Sequence, residues 1–427
     1  MDILLGSSVV QIAGVVIVTA ALLQAAVMFY ASWQRLGQEK THRELSLELL
    51  RRRVEGETAQ RQFERDRETA VWSGMRKFRL REKIDEGGRV CSFYLVPHDG
   101  KPLPPFYPGQ YLTFQLNIPG QAKPIIRCYS LSDSANPDYY RVSIKALPPP
   151  PDKPDAPHGL VSNFFRDQVN EGDILDAKAP GGHFFLNLAE HTPVVLIAGG
   201  IGLTPLFSML NAICGSGSTR ETWLFYGTRN SSEHFMKEHL ERLATENDNV
   251  RLQVCYSHAL DIDVKGKDYQ QDGFVSVELL TRLLPSNNYE FYICGPPPMM
   301  NVIVPDLKAW GVPDADIHFE AFGPATVAKT KATKPAEEGT AGAAIEVLFA
   351  RSGKTCNWDP EAGSLLDFAE ANDVVIDSGC RAGNCGTCIT AIRSGEVEYL
   401  IEHGAEPESG SCLTCVTVPK TNLTLDA

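Results

Sequence analysis

This sequence has less positive charge than negative charge. Its 427 residues contain 40 lysines and arginines against 53 aspartates and glutamates, which gives a formal net charge of −13. The phosphates of a nucleic acid would be repelled by this balance, so no nucleic-acid partner is expected. A basic patch on another protein suits such a surface better.

A cysteine pattern typical of disulfides is also missing, although the chain holds 11 cysteines. Four of the last five have the spacing of metal ligands, and the others stand singly, as in the apolar run Val254-Cys255-Tyr256. Isolated cysteines of this kind behave as small buried apolar side chains. The sequence therefore predicts that most of the chain resides in a reducing compartment.

The N-terminal segment lacks charge altogether between residues 3 and 34, and Val9–Met28 is almost wholly apolar. About 20 apolar residues span the ~30 Å hydrocarbon core of a bilayer. A cleaved signal peptide is the alternative, but it needs a basic start and a shorter apolar core. We therefore predict a transmembrane helix at residues 1–34, with the lipid bilayer as a partner. Basic residues follow from Arg35, so the positive-inside rule predicts a single-pass protein of the cell inner membrane, with its N-terminus outside and its catalytic domains in the cytoplasm.

Residues 35–74 lack proline and are rich in arginine, glutamate, glutamine and leucine. This composition favours helix, so we predict a helical stalk after the anchor. Its apolar residues do not hold a heptad, and a solvated spacer is therefore a better interpretation than a coiled-coil dimer.

Short runs of alternating apolar and polar residues, broken by glycine, proline and aspartate, fill much of residues 75–190 and predict an antiparallel β-barrel. One strand contains Arg127-Cys128-Tyr129-Ser130, which places Arg127 and Tyr129 on one face and Ser130 on the other. A flavin needs a cation for its phosphate, a flat ring against its isoalloxazine and a donor near N5. The tetrapeptide alone could occur by chance in any sheet. A second motif, Gly159-Leu160-Val161-Ser162-Asn163, predicts a helix start that Ser162 or Asn163 caps and whose amides bind pyrophosphate.

Residues 191–324 have a parallel α/β pattern. The buried-strand run Val194–Ala198 precedes Gly199-Gly200-Ile201-Gly202-Leu203-Thr204-Pro205 and an apolar helix. This turn lacks the third glycine of the usual dinucleotide fingerprint and is weak support alone. Two further strands end near Tyr226 and Cys294, and ligands of such sheets bind at the carboxyl ends of the strands.

The C-terminal part combines a tether and a metal centre. Residues 325–343 lack periodicity and predict a flexible linker with an end-to-end distance of about 25 Å. Residues 344–427 then carry four cysteines with the spacing of plant-type [2Fe–2S] ligands, namely Cys380, Cys385, Cys388 and Cys415. Cys412 competes as the fourth ligand, and a zinc site is the alternative metal centre. This part has 13 acidic and 5 basic residues, which suits a basic acceptor face.

Together these motifs resemble the ferredoxin–NADP reductase superfamily, and most closely the reductase half of flavohaemoglobins. The stretches Arg127–Asp133 and Gly159–Leu186 carry the match, and the superfamily shares the Gly-Gly-x-Gly-x-Thr-Pro turn. The resemblance implies flavin contacts from Tyr111, Arg127, Cys128, Tyr129, Ser130, Gly159, Leu160, Val161 and Ser162. The proline-rich loop at 147–157 lies where FAD-binding members hold the adenine half, which favours FAD over FMN. The sequence Leu413–Val416 matches the ferredoxin pattern and favours Cys415 as the fourth ligand.

The same resemblance implies nicotinamide-nucleotide contacts from Gly199, Gly200, Gly202, Leu203, Thr204, Gly295 and Pro296. Cys294 would lie beside the nicotinamide, while Glu320 and Phe322 would face the flavin. Hydride transfer needs stacked rings in a dry pocket, so the catalytic assignment of Cys294, Glu320 and Ser130 means positioning. An inert buried thiol is the alternative for Cys294. Only Arg229 stands near the expected ribose site, which favours NADH and leaves NADPH open.

The order of flavin, nucleotide and ferredoxin domains is similar to that of phthalate-dioxygenase-type and phenylacetyl-CoA-epoxidase-type reductases. It implies a nicotinamide-dependent oxidoreductase whose acceptor is a membrane-bound or membrane-adjacent oxygenase, hydroxylase or desaturase. Flavin is needed because NADH gives two electrons together whereas the cluster takes one. A respiratory NADH:quinone-type input and a membrane redox sensor are the alternatives. The predicted fold is multidomain, with a transmembrane helix and stalk, a flavin β-barrel, an α/β nucleotide domain and a β-grasp ferredoxin-like domain.

Overall fold

The computed structural model describes residues 18–19, 22–30, 33, 58, 61–67, 69–121, 124–149, 158–321, 345–379, 381, 383, 386–400 and 407–427. By its contacts the chain divides into two compact units, Met1–Arg65 and Asp66–Ala427. The described residues of the first unit are helical. Most of the predicted anchor and stalk, the linker at 325–343, the loop at 150–157 and Phe322 lie outside the described residues, and the predicted domain boundaries stay predictions.

The predicted membrane localisation is wrong by the findings on the described residues. None of the helices in the described ranges is long and apolar enough to cross a bilayer. The predicted transmembrane helix and N-terminus-outside topology are therefore wrong, and nothing in the described residues supports the bilayer as a partner.

The predicted antiparallel barrel is present. Its six strands are β1 (Arg76–Gly87), β2 (Val90–Pro97), β3 (Tyr111–Leu116), β4 (Ile125–Ser130), β5 (Tyr140–Lys145) and β6 (Ile174–Ala177). They pair in the order β4-β3-β6-β1-β2-β5, and a bridge between Leu131 and Val142 joins the two edges. Helix α1 (Leu160–Asp167) closes one end, because its Phe165 packs edge-on against Phe93 and Phe114 with ring centroids 5.2 and 5.5 Å away. Alternating strand residues supply this apolar core, as the period of two requires.

The second domain is the predicted parallel α/β sheet. Its elements are β7 (Val194–Gly199), α2 (Leu203–Gly215), β8 (Thr222–Thr228), α3 (Lys237–Glu246), β9 (Val250–Tyr256), β10 (Gln271–Asp272), α4 (Val277–Leu283), β11 (Glu290–Gly295), α5 (Pro297–Ala309) and β12 (Ile317–Ala321). The strands are parallel and lie in the order β10-β9-β8-β7-β11-β12. From β7 the chain adds strands on one side as far as β10 and then adds β11 and β12 on the other side, so the switch point lies between β7 and β11. Gly199, Gly227 and Cys294 consequently meet at the carboxyl edge beside this switch point, where such sheets bind ligands.

The C-terminal domain has the predicted mixed sheet with one helix packed on it. Its elements are β13 (Glu346–Phe349), β14 (Lys354–Asn357), α6 (Leu365–Ala371), β15 (Ile389–Ser394), β16 (Val397–Tyr399), β17 (Ser411–Leu413), β18 (Thr417–Pro419) and β19 (Leu423–Leu425). The larger sheet has the order β14-β13-β19-β15-β17, with β13 and β19 parallel. Ser364 and Asp367 form a reciprocal capping box that fixes the start of α6.

Candidate active site

Strands β3 and β4 bring the expected flavin contacts together. Tyr111 lies directly opposite Ser130 in the register, and both residues are buried. Tyr129 is half-buried, and its ring packs edge-on against Phe165 of α1 at 5.3 Å. Burial raises the pKa of the Tyr129 phenol above its ordinary value, so the ring presents a neutral hydroxyl. A flat, uncharged aromatic face is what a flavin ring system requires.

The loop after β6 is shaped to fit Tyr111. The backbone groups of Tyr111 and Gly181 exchange two hydrogen bonds of 3.0 Å. Gly182 follows with a φ of +110°, and a Cβ at this position would come 2.6 Å from Cε1 of Tyr111. Only glycine therefore allows the loop to lie flush on the tyrosine ring.

Arg127 and Cys128 alternate along β4. Arg127 is exposed, and its Nη1 donates to the carbonyl of Ile126 at 2.7 Å, which leaves donors of its fork for an anion. The Cys128 sulfur lies 3.4 Å from the Thr113 hydroxyl on β3. Arg127 and Tyr129 are two residues apart on one strand and share a face, as the sequence predicts.

The start of α1 differs from the prediction in one detail. Neither Ser162 nor Asn163 caps it, because Gly159 is the N-cap residue and makes no side-chain cap. Instead Ser162 Oγ donates to the Gly159 carbonyl at 3.2 Å, and Asn163 Nδ2 donates to the carbonyls of Gly159 and Leu147 at 2.8 and 2.9 Å. A helix start without a side-chain cap suits a pyrophosphate, whose oxygens could accept from the first amides, those of Leu160 and Val161.

The glycine turn of the nucleotide domain is packed against the end of β11. A Cβ on Gly202 would overlap the carbonyl group of Cys294, and one on Gly199 would come 2.9 Å from Pro296. A Cβ on Gly295 would lie 3.2 Å from the Gly199 Cα, so these two backbones are also close. The hydroxyl of Thr204 is buried and donates to the carbonyl of Ile201 at 3.0 Å, so it stabilises the turn. The turn therefore packs tightly against the end of β11, with Gly202 and Leu203 buried and Gly199 and Gly200 partly exposed at the sheet edge.

Cys294 and Glu320 are neighbours on adjacent strands. They pair in the register of β11 and β12, and both are buried. Burial, with the nearby Glu320 carboxylate, raises the pKa of the Cys294 thiol well above its ordinary value. The thiol is therefore protonated at neutral pH and unsuited to nucleophilic attack, which agrees with a positioning role.

Two of the four predicted cluster ligands fall in the described residues. The sulfurs of Cys388 and Cys415 lie 3.1 Å apart, close to the ~3.7 Å between two thiolates on one tetrahedral metal. Cys412 is buried in the domain core and stands opposite Thr390 on β15, and burial raises the pKa of its thiol to about 11. Cys415 is thus the better fourth ligand. Cys380 and Cys385 lie outside the described residues. Gly383 and Gly386 stand between the predicted ligands in the sequence, and their φ angles of +74° and +66° are what tight ligand loops require.

Sequence reasoning missed a polar contact between the two nucleotide-binding domains. Asp133 ends the stretch that carries the resemblance, yet it received no role, and neither did Arg141 or Asn211. In the structure these side chains meet where the barrel touches α2. The available signal was an asparagine inside the otherwise apolar run Met209-Leu210-Asn211-Ala212-Ile213.

Comparisons with known proteins agree with this arrangement. Three family profiles match the chain: an oxidoreductase FAD-binding domain at residues 78–186, an oxidoreductase NAD-binding domain at 196–304 and a 2Fe-2S iron-sulfur cluster binding domain at 348–420. These matches establish FAD, NAD(P)H and [2Fe–2S] as the cofactors and substrate classes of the chain.

Curated relatives match the reductase part. The flavohemoprotein of Bacillus thuringiensis subsp. konkukian is 42% identical over 254 residues, which cover 60% of this chain and 62% of the relative. The flavohemoprotein of Rhizobium meliloti is 38% identical over 263 residues, covering 61% of this chain and 64% of the relative. The chain thus spans about three fifths of the length of these relatives.

Solved structures extend the likeness to the cluster domain. The FAD/NAD-binding domain of nitric oxide dioxygenase from Vibrio cholerae is 34% identical, with a TM-score of 0.52 over 58% of this chain and 99% of that one. Phthalate dioxygenase reductase is 28% identical, with a TM-score of 0.52 over 83% of this chain and 98% of that one. A type IV self-sufficient cytochrome P450 monooxygenase, at 21% identity and a TM-score of 0.58, shares the fold over 83% of this chain and 41% of that one. The chain belongs to the ferredoxin–NADP reductase family and is a pyridine nucleotide-dependent oxidoreductase with FAD-binding, NAD-binding and [2Fe–2S] domains in that order.

Proposed function

We propose that this chain takes hydride from NADH and delivers single electrons through its C-terminal cluster to an oxygenase-type protein. The observation that carries the proposal is the domain order, which is shared over nearly the whole length of phthalate dioxygenase reductase, a modular structure for electron transfer from pyridine nucleotides to [2Fe–2S]. The curated flavohemoproteins match only the reductase part, so they support the first half of this path.

Under this proposal one group of residues would bind FAD and another would exclude water from the reaction site. FAD, when bound, accepts the two electrons of a hydride and releases them singly to a one-electron acceptor. Arg127 and the α1 start would hold its phosphates, while Tyr111, Tyr129 and Ser130 would hold its ring system. Cys294 and Glu320 line the buried edge opposite and would exclude water from the reacting rings.

Ion pairing after β8 supports NADH as the nucleotide. Arg229 is the cation expected near the adenosine ribose, and its Nη1 lies 3.7 Å from Glu233. Lys145 of the barrel also pairs with Glu233, at 2.6 Å. The Glu233 carboxylate offsets one of the two positive charges and engages both cations, which weakens their attraction for the 2′-phosphate that distinguishes NADPH.

The cluster path is tested by two neighbouring cysteines. In Cys415→Ser, NADH should still reduce ferricyanide, which takes electrons from flavin directly, while reduction of ferricytochrome c should fall about 100-fold because the cluster lacks a ligand. Cys412→Ser is the matched control and should retain both activities. Electron paramagnetic resonance of the NADH-reduced proteins reports the cluster independently. Loss of the cluster signal in Cys412→Ser with its retention in Cys415→Ser would contradict the ligand assignment.

The acceptor class is tested by cross-linking of the NADH-reduced holoprotein in lysate under argon, followed by mass spectrometry. An oxygenase component that turns over its substrate when mixed with the purified chain and NADH would support the proposal. Recovery of a quinone-reducing complex instead would replace it with the respiratory alternative. A chain that is not bleached by NADH at all would favour the sensor.

A further inference from the structure

The contact between the barrel and helix α2 is built from buried polar groups centred on Asp133. Its carboxylate accepts hydrogen bonds from the Tyr139 hydroxyl at 3.0 Å and Asn211 Nδ2 at 3.2 Å, and it pairs with Arg141 Nη1 at 3.4 Å. The Asp133 backbone carbonyl accepts from the Ser208 hydroxyl at 2.6 Å. Two of these four donors come from the barrel and two from the nucleotide domain.

Arg141 contributes a buried guanidinium to this contact. It is 5% exposed and binds Ser132, through Nε to the hydroxyl at 3.2 Å and through Nη2 to the carbonyl. Its guanidinium also lies over the ring of Phe207 on α2, 5.3 Å from the centroid. Arg141 therefore touches both domains through one planar group.

Helix α3 fixes the orientation of the Asn211 amide. His239 Nε2 lies 3.0 Å from Asn211 Oδ1, and Arg242 donates to His239 Nδ1 at 2.9 Å. The neutral imidazole with its proton on Nε2 satisfies both bonds, so Asn211 must present Nδ2 to Asp133. Burial and the neighbouring Arg242 lower the pKa of His239, which keeps this tautomer neutral.

The placement of these groups connects the two halves of the reaction site. Ser208 and Asn211 lie four and seven residues after Thr204, hence on the same face of α2 as the residue expected to seat the nicotinamide. Asp133 lies three residues after Ser130, the residue expected near flavin N5. A largely buried hydrogen-bond network of this kind has few low-energy geometries, and it changes little without cost.

We propose that Asp133, Arg141, Ser208 and Asn211 form a positioning joint that sets the distance between nicotinamide and flavin for hydride transfer. The inference rests on the proposed NADH-to-flavin reaction. None of them is among the residues expected to contact either ring, so they would act through Ser130 and Thr204. Hydride transfer is steeply sensitive to this distance, and a misplacement of ~1 Å costs about 100-fold in rate.

The test is anaerobic stopped-flow reduction of the FAD- and cluster-loaded protein by NADH, in Asn211→Ala and Ser208→Ala. We expect the limiting rate of flavin bleaching to fall about 10-fold to 100-fold in Asn211→Ala and about 3-fold to 10-fold in Ser208→Ala. The NADH dissociation constant should change less than about 2-fold, and the long-wavelength charge-transfer absorbance of the stacked rings should weaken. Because both bonds hold one residue, the two effects should be less than additive in the double variant.

Matched controls lie elsewhere on the same two helices. Ser216→Ala removes a hydroxyl bond to Ile213 at the end of α2, and Asn247→Ala removes an amide bond to Leu243 at the end of α3. Both should keep the wild-type rate. Unchanged bleaching in Asn211→Ala and Ser208→Ala, or equal slowing in the controls, would overturn the joint. If Asn211→Ala fails to fold, Ser208→Ala alone decides. If NADH does not bleach the wild type, the proposed function itself fails, which is a separate outcome.

Discussion

The flavin barrel and the nucleotide domain present different surfaces to their ligands. Under the proposed function the barrel would offer side chains, with Arg127 for charge and Tyr111 and Tyr129 for flat contact. The nucleotide domain would offer mainly the backbone of its glycine turn, where Gly199 and Gly202 lie too close to the end of β11 to carry a Cβ. Side-chain contacts can be removed one at a time, whereas a backbone surface fails when any atom intrudes. The two regions should therefore respond differently to substitution.

Gly202→Ala is expected to have the largest effect. The added Cβ would overlap the Cys294 backbone, so the turn must move by roughly 1 Å, and the rate of flavin reduction by NADH should fall at least ~100-fold. Stopped-flow bleaching measures the rate. Gly215→Ala, at the end of the same helix, is the control, because a Cβ there meets nothing within 4 Å. It should leave the rate unchanged. Normal reduction in Gly202→Ala would show that this turn does not carry the nucleotide.

Arg127→Ala should have a smaller and more selective effect. Loss of a charge-assisted bond to a phosphate costs about 1.5–3 kcal/mol, so FAD affinity should fall about 10-fold to 100-fold. Fluorescence titration of the FAD-depleted protein measures it. With FAD in excess, reduction by NADH should recover, because the nucleotide domain is untouched. Arg79→Ala removes an exposed arginine on β1 and should not alter FAD binding. A loss of NADH affinity with unchanged FAD affinity would contradict the assignment of Arg127 to FAD binding.

The same contrast explains what could be predicted from the sequence. The glycine turn and the cysteine spacing are local, because sterics or coordination fixes each within a few residues, and both led to the right domain. The shared face of Arg127 and Tyr129 followed from strand alternation, whereas the register that sets Tyr111 opposite Ser130 was not predicted. Asn211 and Asp133 are 78 residues apart and belong to different domains, so no local rule pairs them.

Two expectations failed for definable reasons. Ser162 can donate or accept, and inside the first turn of α1 its hydroxyl donates to the Gly159 carbonyl and accepts from the Leu147 amide, so it caps no amide of the helix. The transmembrane helix was predicted from the apolar composition of residues 1–34, and composition alone does not decide whether such a helix is present. The described residues hold no helix of that length.

The smallest expected effect is that of the Glu233 charge on the preference of the nucleotide domain for NADH over NADPH. Glu233 pairs with both Arg229 and Lys145, so Glu233→Gln frees two cations near the expected ribose site. One charge pair near the surface is worth about 1 kcal/mol, and kcat/KM for NADPH should rise about 5-fold while that for NADH changes less than about 2-fold. Steady-state ferricyanide reduction with each nucleotide measures the ratio.

Two controls separate a local effect of Glu233 from an effect of overall charge: high ionic strength, and the same charge change at another position. At about 1 M salt the gain should largely disappear, because screening then acts over ~3 Å. Glu246→Gln makes the same change in net charge at the far end of α3 and should not alter the preference. An NADPH gain of equal size in both variants would mean that overall charge, and not the position of Glu233, selects the nucleotide. A gain confined to Glu233→Gln would instead show that a single side chain adds discrimination to a surface otherwise made of backbone.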